Sequence, residues 1–545
     1  MKLFTSIYLK RDTNKWSIYT LAIVICISIP ILTIFFKLFS GPGETWSHLV
    51  EYVLADYILN SLWLVIGCSI TTVFIGVSSA WIVSRYDIPF RKIIEWMLIL
   101  PLAIPSYINA YVYAGIFDYG GSLELLLRLL GLPPIKLNIM NIFGLIFVLS
   151  LSLFPYIYVS ARAVFLYQSS RLIEASKLLG ASEKNTFYRI VLPIARPAIV
   201  GGLILVLMEV LNDYGAAKYF GVSTFTTGIF RSWFSLGEPS TAVYLSAVLL
   251  IVVFILMYLE RLQRGAKSYS NSYKSNTILK KKKISINIQF LAMLIISMPI
   301  IFGFLIPLIQ LIYWSFLTYK DVISTSFLTI ALQSLGISFL TAFLTVLVAL
   351  MTLYFPKWNR LKLLKKISRI TILGYAIPGA IIAVGIMIPS LMIDKWFIKI
   401  AKTVANIKIG FVINGTIIIL VYAYVIRFLA VAFNPIEANQ LKIGDSLSES
   451  SKLLSTGPLK TFFKIELPLL KSGAIGAFIL VFVDVMKELP LTLILKPYQV
   501  NTLAVKAYEY ASDELIMESA LPSLCIIITG IIPIILLNRL IMNKQ

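Results

Sequence analysis

The sequence predicts an all-α integral membrane protein of about twelve transmembrane helices, arranged as two pseudo-symmetric six-helix halves. Three observations carry that expectation. Of the 545 residues 59% are hydrophobic and only 14% charged. Apolar runs of about 20 residues, enough to cross a bilayer core as helices, recur from end to end. One polar, basic phrase is written twice, once in each half. At a mean hydropathy of +0.88 the chain has more apolar surface than a soluble core of this length can bury, so lipid is the solvent for most of it.

The first run, about Trp16 to Phe39, follows "MKLFTSIYLKRDTNK". It is too long for the apolar region of a cleaved leader and lacks a clear small-residue cleavage site, so it reads as a retained span. The first half continues over about Asn60 to Ile82, Ile93 to Phe117, Met140 to Phe165, Pro197 to Ala217 and Thr241 to Leu262. The second half repeats the rhythm over about Ile288 to Phe316, Thr329 to Tyr354, Ile370 to Leu391, Phe411 to Phe433, Ser472 to Leu495 and Ser519 to Leu537. Between them lies a Ser- and Lys-rich linker. The expected division is 1–264, a basic linker 265–285, and 286–545, each half with one polar loop, at 170–196 and 445–471.

The halves match in detail. "NSL" at Asn60 answers "QSL" at Gln333, and "AIP" at Ala103 answers "AIP" at Ala376, both at the same offset along the chain. The polar phrase, "EASKLLGASEKNTFYRIVLP" from Glu174 and "ESSKLLSTGPLKTFFKIELP" from Glu449, repeats at almost that offset. Near-constant offsets across spans and loops mean a duplicated six-span unit, its halves related by a pseudo-twofold axis.

The net charge of +22 does not point to nucleic acid, because Lys and Arg concentrate in alternate loops. The N-terminal tail, Arg85 to Lys92, Arg261 to Lys283 and Lys357 to Arg369 are all basic and would be cytoplasmic. Both termini and both copies of the phrase then fall on that side. The loop Asp394 to Lys408, with Lys395, Lys399, Lys402 and Lys408, is discordant. Cys26, Cys68 and Cys525 lie in apolar runs and form no framework. His48 is the only histidine, which excludes a multi-His metal site, and no tightly bound metal is expected. No GxxxxGK[ST] phosphate loop exists, so any ATP hydrolysis belongs to another subunit.

In the first copy of the phrase "EASKLL" favours helix, Gly180 is placed to end it, Ser182 to cap a second short helix, and Pro193 to stop that helix before the next span. Leu178, Leu179, Phe187 and Ile190 give it an apolar side while Lys177, Lys184 and Arg189 stay wet. The bland alternative is an amphipathic loop resting on headgroups. That alternative does not require the second copy to keep Glu449, Lys452, Leu453, Leu454, Thr461, Phe462, Ile465, Leu467 and Pro468 in matching places.

These residues resemble the EAA loop of permease subunits of binding-protein-dependent ABC importers, whose pattern is E-A-A, then Gly, then I-x-L-P. Here it reads Glu174-Ala175-Ser176, Gly180 and Ile190-Val191-Leu192-Pro193. In the second copy Ser450 and Ser451 replace both alanines and Ser455 stands at the glycine position, with a turn available at Gly457-Pro458. The resemblance implies a type I ABC importer permease fold and a short coupling helix that docks on the ATPase. The double length, with "MEVLNDYG" and "KELP", is similar to the ferric iron importers in particular. It implies two copies of a cytoplasmic ABC ATPase that bind ATP and Mg, an extracytoplasmic binding protein, and a bacterial inner membrane location with no cofactor or enzymatic activity in this chain.

Glu209 and Asp213, followed by Tyr214, sit four apart, and Asp484 and Glu488 repeat them at the offset of the polar phrase; on one helix that spacing shares a face. Ionisable groups inside a membrane cost at least ~2.5 kcal/mol each, so they face a partner or a watery path. Two readings stand side by side: a translocation path whose hard oxygens suit Fe(III), or a structural network in which Lys487 neutralises Asp484 or Glu488. Thiamine is the alternative cargo, with polyamine, sulfate or phosphonate behind it. A secondary transporter would share the repeats but has no need of paired ATPase-docking loops, and a channel would assemble several copies of a shorter pore unit.

Overall fold

A computed structural model describes residues 15–134, 137–167, 175, 176, 178–264, 281–358, 362–404, 406, 407, 409–443 and 458–542. Among them the chain is helical without a strand, and its one extended pairing is an isolated bridge between Tyr86 and Lys282. The principal helices are α1 (Lys15–Lys37), α2 (Leu54–Arg85), α3 (Ser106–Phe117), α4 (Ile142–Tyr167), α5 (Leu192–Asn212), α6 (Gly215–Tyr219), α7 (Pro239–Arg264) and α8 (Ile286–Ile300). They continue as α9 (Ile306–Val322), α10 (Thr325–Tyr354), α11 (Gly379–Val404), α12 (Ile417–Ile443), α13 (Leu467–Met486), α14 (Pro490–Leu495), α15 (Leu503–Ser512) and α16 (Ala520–Met542). Among the described residues ten helices are long and apolar enough to cross a membrane, eleven if a bent pair counts as one span. The twelfth expected span is a shorter apolar stretch at the start of α16, Ala520–Pro533.

Five spans differ most from the sequence expectation, the third, fifth, ninth, tenth and eleventh; the ninth runs over Gly379–Val404 in place of Ile370 to Leu391, and the tenth over Ile417–Leu441 in place of Phe411 to Phe433. The third span is the bent pair, Arg91–Ala103 and Ser106–Leu129, at 90°. Pro105 forces Ile104 into extended backbone (φ −97°, ψ 113°) and so breaks the helix. The same Ile-Pro step recurs at Ile377-Pro378, where a tight 3-10 stretch, Ser368–Ala376, gives way to α11. The fifth span begins not at Pro197 but at Glu183, and the eleventh runs over Leu459–Met486, ending before Lys487.

Pro193 therefore does not stop the short helix. Residues Phe187–Val191 widen into a π turn that hands over directly to α5, with Leu192 N bonding Phe187 O, five residues back. The wide turn absorbs the position where proline lacks its donor and its ring would clash. The second copy does the same, with a π turn at Phe462–Glu466 running into α13 and Pro468 in its first turn.

The helices sort into two compact units that do not follow the halves of the sequence. One takes the described parts of 1–44, 232–247 and 324–505, the other those of 45–231, 248–323 and 506–545. In the second, α2, α4 and α5 pack together as a three-helix core, and α9 lies on α16. In the first, the repeat-related α10, α12 and α13 form the core, and α1 lies on α11. The leading span of each half thus belongs to the unit built on the other half's core helices. Within each unit the central helix is the buried one: 72% of the apolar window in α12 is inside, against 22% in α1. Phe74 of α2 and Phe143 of α4 stand 70% and 77% exposed, as lipid-facing side chains do.

A charge-reversed pair marks the duplication. Glu95 bonds Arg162 at 2.6 Å in one unit, and Arg369 bonds Glu437 at 2.9 Å in the other. The signs swap while the places keep the offset of the repeat.

Close approach of α5 to α4 depends on Gly202, where a Cβ would stand 2.9 Å from the Tyr156 carbonyl oxygen and 3.0 Å from the Ile157 Cα. Small residues let membrane helices meet through their backbones. Gly202→Leu is expected to destabilise the protein by about 1–3 kcal/mol through overpacking, read as a lower melting temperature in detergent. Gly476 of α13 has nothing within 4 Å of its Cβ position, so Gly476→Ala should leave the melting temperature unchanged.

Candidate functional site

Glu174, Lys177, Glu449, Ser450, Ser451, Lys452, Leu453, Leu454, Ser455 and Gly457 lie outside the described residues. Beyond Glu174 the first loop is ordered by short-range bonds. Leu179 N donates to Ala175 O and Ala181 N to Ser176 O, the latter spanning a helix end with Gly180 at φ +78°. Only glycine adopts that left-handed angle without strain, and the long bond closes a Schellman-type turn. Ser182 then caps the next helical turn by accepting from Asn185 N at 3.3 Å. A buried Ser176–Thr186 hydroxyl contact of 2.9 Å ties the two turns together. Leu178 and Leu179 are 89% and 87% exposed, so among the described residues nothing covers this apolar edge.

The loop is geared to the spans. Phe187 of the π turn packs on Trp81 of α2 at 5.0 Å, and its counterpart Phe462 packs on Tyr354 of α10 at 4.8 Å. Glu183 is held by Lys282 at 2.8 Å and faces Arg85 at 3.8 Å, which pins the end of the linker to the first loop. The loop is thus joined to α2 by an aromatic contact and to α5 by a continuous helix.

The membrane carboxyls do not share helix faces, because both helices end first. α5 stops at Asn212, and Asp213 turns extended (φ −67°, ψ 120°). α13 stops at Met486, with Lys487 as its cap, so Glu488 lies beyond it. Each second carboxyl instead caps the short helix that comes next. Asp213 accepts from Ala216 N at 2.8 Å and Ala217 N at 3.3 Å, and Glu488 accepts from Leu491 N at 3.2 Å. Negative charge at a helix N-terminus is favourable, which is why the chain breaks there.

Beyond that shared role the repeats diverge. Glu488 is paired with Arg427 of α12 at 3.1 Å, both side chains 6% exposed or less, and Arg427 also donates to Ile377 O. Asp484 is paired with Lys487 at 2.8 Å. Asp213 accepts from Ser106 Oγ on its other oxygen and has, among the described residues, no ion pair. Tyr214 stacks on Phe230 at 3.7 Å and meets Tyr508 of α15, hydroxyl to hydroxyl, at 3.4 Å. Glu209 lies half-buried on α5. Among the described residues no three His, Cys, Asp or Glu side chains gather into a ligand set.

Sequence reasoning missed Arg427, Ser106 and Tyr508. The signal for Arg427 was present: an arginine inside the apolar run "VYAYVIRFLAV" is costly unless it meets a partner. The discordant basic loop is the end of α11, where Lys395, Lys399 and Lys402 are exposed and Asp394 accepts from the backbone of Val412, Ile413 and Asn414 at 2.8–2.9 Å. Lys408 lies outside the described residues.

The family described as binding-protein-dependent transport system inner membrane component matches the chain twice, over residues 72–268 and 358–544. The chain is similar to Fe(3+)-transport system permease protein FbpB 2 of Haemophilus influenzae, with 26% identity over 496 residues covering 89% of this chain and 90% of the relative. It is also similar to spermidine/putrescine transport system permease protein PotB of the same organism, 23% identical over 249 residues, 44% of this chain and 81% of the relative. A third relative is the probable sulfate transport system permease protein cysT of Chlorokybus atmophyticus, 27% identical over 173 residues, 32% of this chain and 59% of the relative.

Proposed function

The chain belongs to the family of binding-protein-dependent transport system inner membrane components, and from that premise we propose that it is the double-length permease of an ATP-driven importer that moves ferric iron into the cytoplasm. It is an all-α multi-pass membrane protein carrying the type I permease domain twice. One copy supplies both halves of the pathway and both coupling loops, at 170–196 and 445–471. Two ATPase subunits dock on those loops, and a binding protein delivers cargo from the other side. Both termini are cytoplasmic.

In this reading the bare Leu178–Leu179 edge is what the ATPase covers. Its motion passes along the π turns at Phe187–Val191 and Phe462–Glu466 into α5 and α13, whose far ends carry Asp213 and Glu488. Alternating access follows when those ends rock while the cores stay packed.

The observation that carries the cargo is Asp213, a carboxyl surrounded by neutral hydroxyl and amide donors and left without a cationic partner among the described residues. An oxyanion such as sulfate would meet repulsion there, whereas a cation is welcomed. End-to-end similarity to a Fe(3+) permease favours iron over other cations. A polyamine is the second reading, because the aromatic faces of Tyr214 and Phe230 beside Asp213 also suit an organic cation.

The test is uptake of labelled iron, spermidine and sulfate in cells deleted for this chain and complemented with it. Iron uptake is expected to vanish in the deletion and return on complementation, the other two remaining unchanged. A deletion that loses spermidine and keeps iron overturns the iron reading.

A further inference from the structure

The repeats differ most around the carboxyls that cap α6 and α14. Registered on the two Ala-Ile-Pro triplets, Ser106, Tyr107, Asn109 and Tyr111 of α3 stand where α11 has Gly379, Ala380, Ile382 and Val384. Registered on the duplicated phrase, Ser152 stands where Arg427 does, and Tyr214 where Leu489 does. At Gly379 a Cβ would lie 2.9 Å from Glu488 Oε1 and 3.3 Å from Arg427 Nη1, so the missing side chain is what admits the guanidinium. The second repeat is thus neutralised from within by Arg427, and its hydroxyls at that place, Tyr424 and Thr492, are spent on each other and on the Glu488 carbonyl, whereas the first carries side-chain oxygens along α3.

Those oxygens are not all occupied. Among the described residues the Tyr111 hydroxyl and Asn109 Oδ1 are buried without a hydrogen-bond partner, Asn109 spending its amide on Ser152 at 2.8 Å. A buried polar atom left unpaired costs free energy, so it calls for an explanation in function. Tyr111 packs on Tyr219 at 4.6 Å and on Tyr107 at 5.8 Å, and α3 lies against α6, the short helix that Asp213 caps. Tyr219 and Tyr508 are half-exposed.

We propose that this cluster in the first repeat is a one-sided transit site for the trivalent cation, in which the Asp213 carboxylate and the phenol oxygens of Tyr111, Tyr214 and Tyr508 replace the donors of the carrier that released it, while the second repeat holds no such site. The proposal rests on the iron reading above. Hard oxygen donors suit a hard trivalent ion, and a carboxylate with phenols supplies them without a competing resident cation. The site is transient by construction, because one carboxylate and a few phenols, with Tyr508 at the half-exposed edge, must release what they take.

A tyrosine oxygen that binds Fe(III) does so as phenolate, its proton released to water, and gives a visible charge-transfer band, which a merely structural tyrosine does not. The experiment titrates the detergent-purified full complex with Fe(III)-nitrilotriacetate and records absorbance and ATP-dependent iron uptake in proteoliposomes. Wild type is expected to show the band at one iron per chain. Tyr111→Phe and Asp213→Asn should each weaken iron binding by at least about tenfold, as loss of a ligand must exceed the usual outer-sphere effect. Tyr508→Phe, at the half-exposed edge, tests the site without disturbing the core and should dim the band, whereas the lipid-facing Tyr258→Phe should not. Iron uptake by wild type without a band, or a band that survives Tyr111→Phe and Asp213→Asn, overturns the transit site and leaves the iron reading standing. Failure of wild type to take up iron while it takes up spermidine overturns both.

Discussion

Replacing Arg427 with methionine is expected to destabilise the protein by about 3–5 kcal/mol, because it strands the Glu488 carboxylate in a place from which water is excluded. The pair is 3.1 Å apart with side-chain exposures of 5% and 6%, and Arg427 also closes the carbonyl of Ile377 at the Ile-Pro break. Removing both charges, as Arg427→Met with Glu488→Gln, should recover much of the loss, since glutamine still caps Leu491 N. Asp213→Asn should cost far less than the single arginine change, because no ion pair is broken there among the described residues. Thermal unfolding of the detergent-solubilised chain reads all three. An Arg427→Met protein that melts with wild type would show that the pair contributes nothing.

Gly180→Pro is expected to abolish uptake while leaving the chain inserted. Proline holds φ at about −65°, roughly the opposite side of the map from the +78° that Gly180 adopts, and the Ala181 N to Ser176 O bond cannot form around it. Leu178 and Leu179 would then leave the positions that an ATPase groove would grip. ATP hydrolysis by the complex should continue or weaken, but it should no longer respond to loaded binding protein. Glu174→Lys together with Glu449→Lys should reach the same end from the start of each loop. Binding-protein-stimulated uptake at the wild-type level in the Gly180→Pro protein would remove the loop from the coupling path.

The signals that were legible in the sequence are the local ones. Apolar runs of about 20 residues found the spans because hydrocarbon thickness fixes their length. Gly180 and Ser182 declared themselves because a left-handed turn and an N-cap are set by one side chain each. Rules that assume their neighbours failed. Pro193 reads as a stop only if the turn before it is α, and here it is π. Asp213 and Glu488 share faces with Glu209 and Asp484 only if the helix continues, and the backbone amides of α6 and α14 compete for those carboxyls instead. The Arg427–Glu488 pair joins residues 61 apart, so no window of periodicity contains it. Duplication is the stronger guide, since registering one half on the other sets Arg427 against Ser152 and Tyr111 against Val384. The leading spans pack as α1 on α11 and α9 on α16, contacts between residues far apart in the chain that no local window contains.

The most direct measurement is ATP-dependent uptake of labelled iron by proteoliposomes holding the purified complex of this chain with its ATPase, iron being presented outside on the cognate binding protein and ATP trapped inside. The account predicts iron accumulation that needs both ATP and binding protein, from a complex containing one copy of this chain and two of the ATPase. Accumulation that proceeds without ATP, or a complex that carries two copies of this chain, would contradict it.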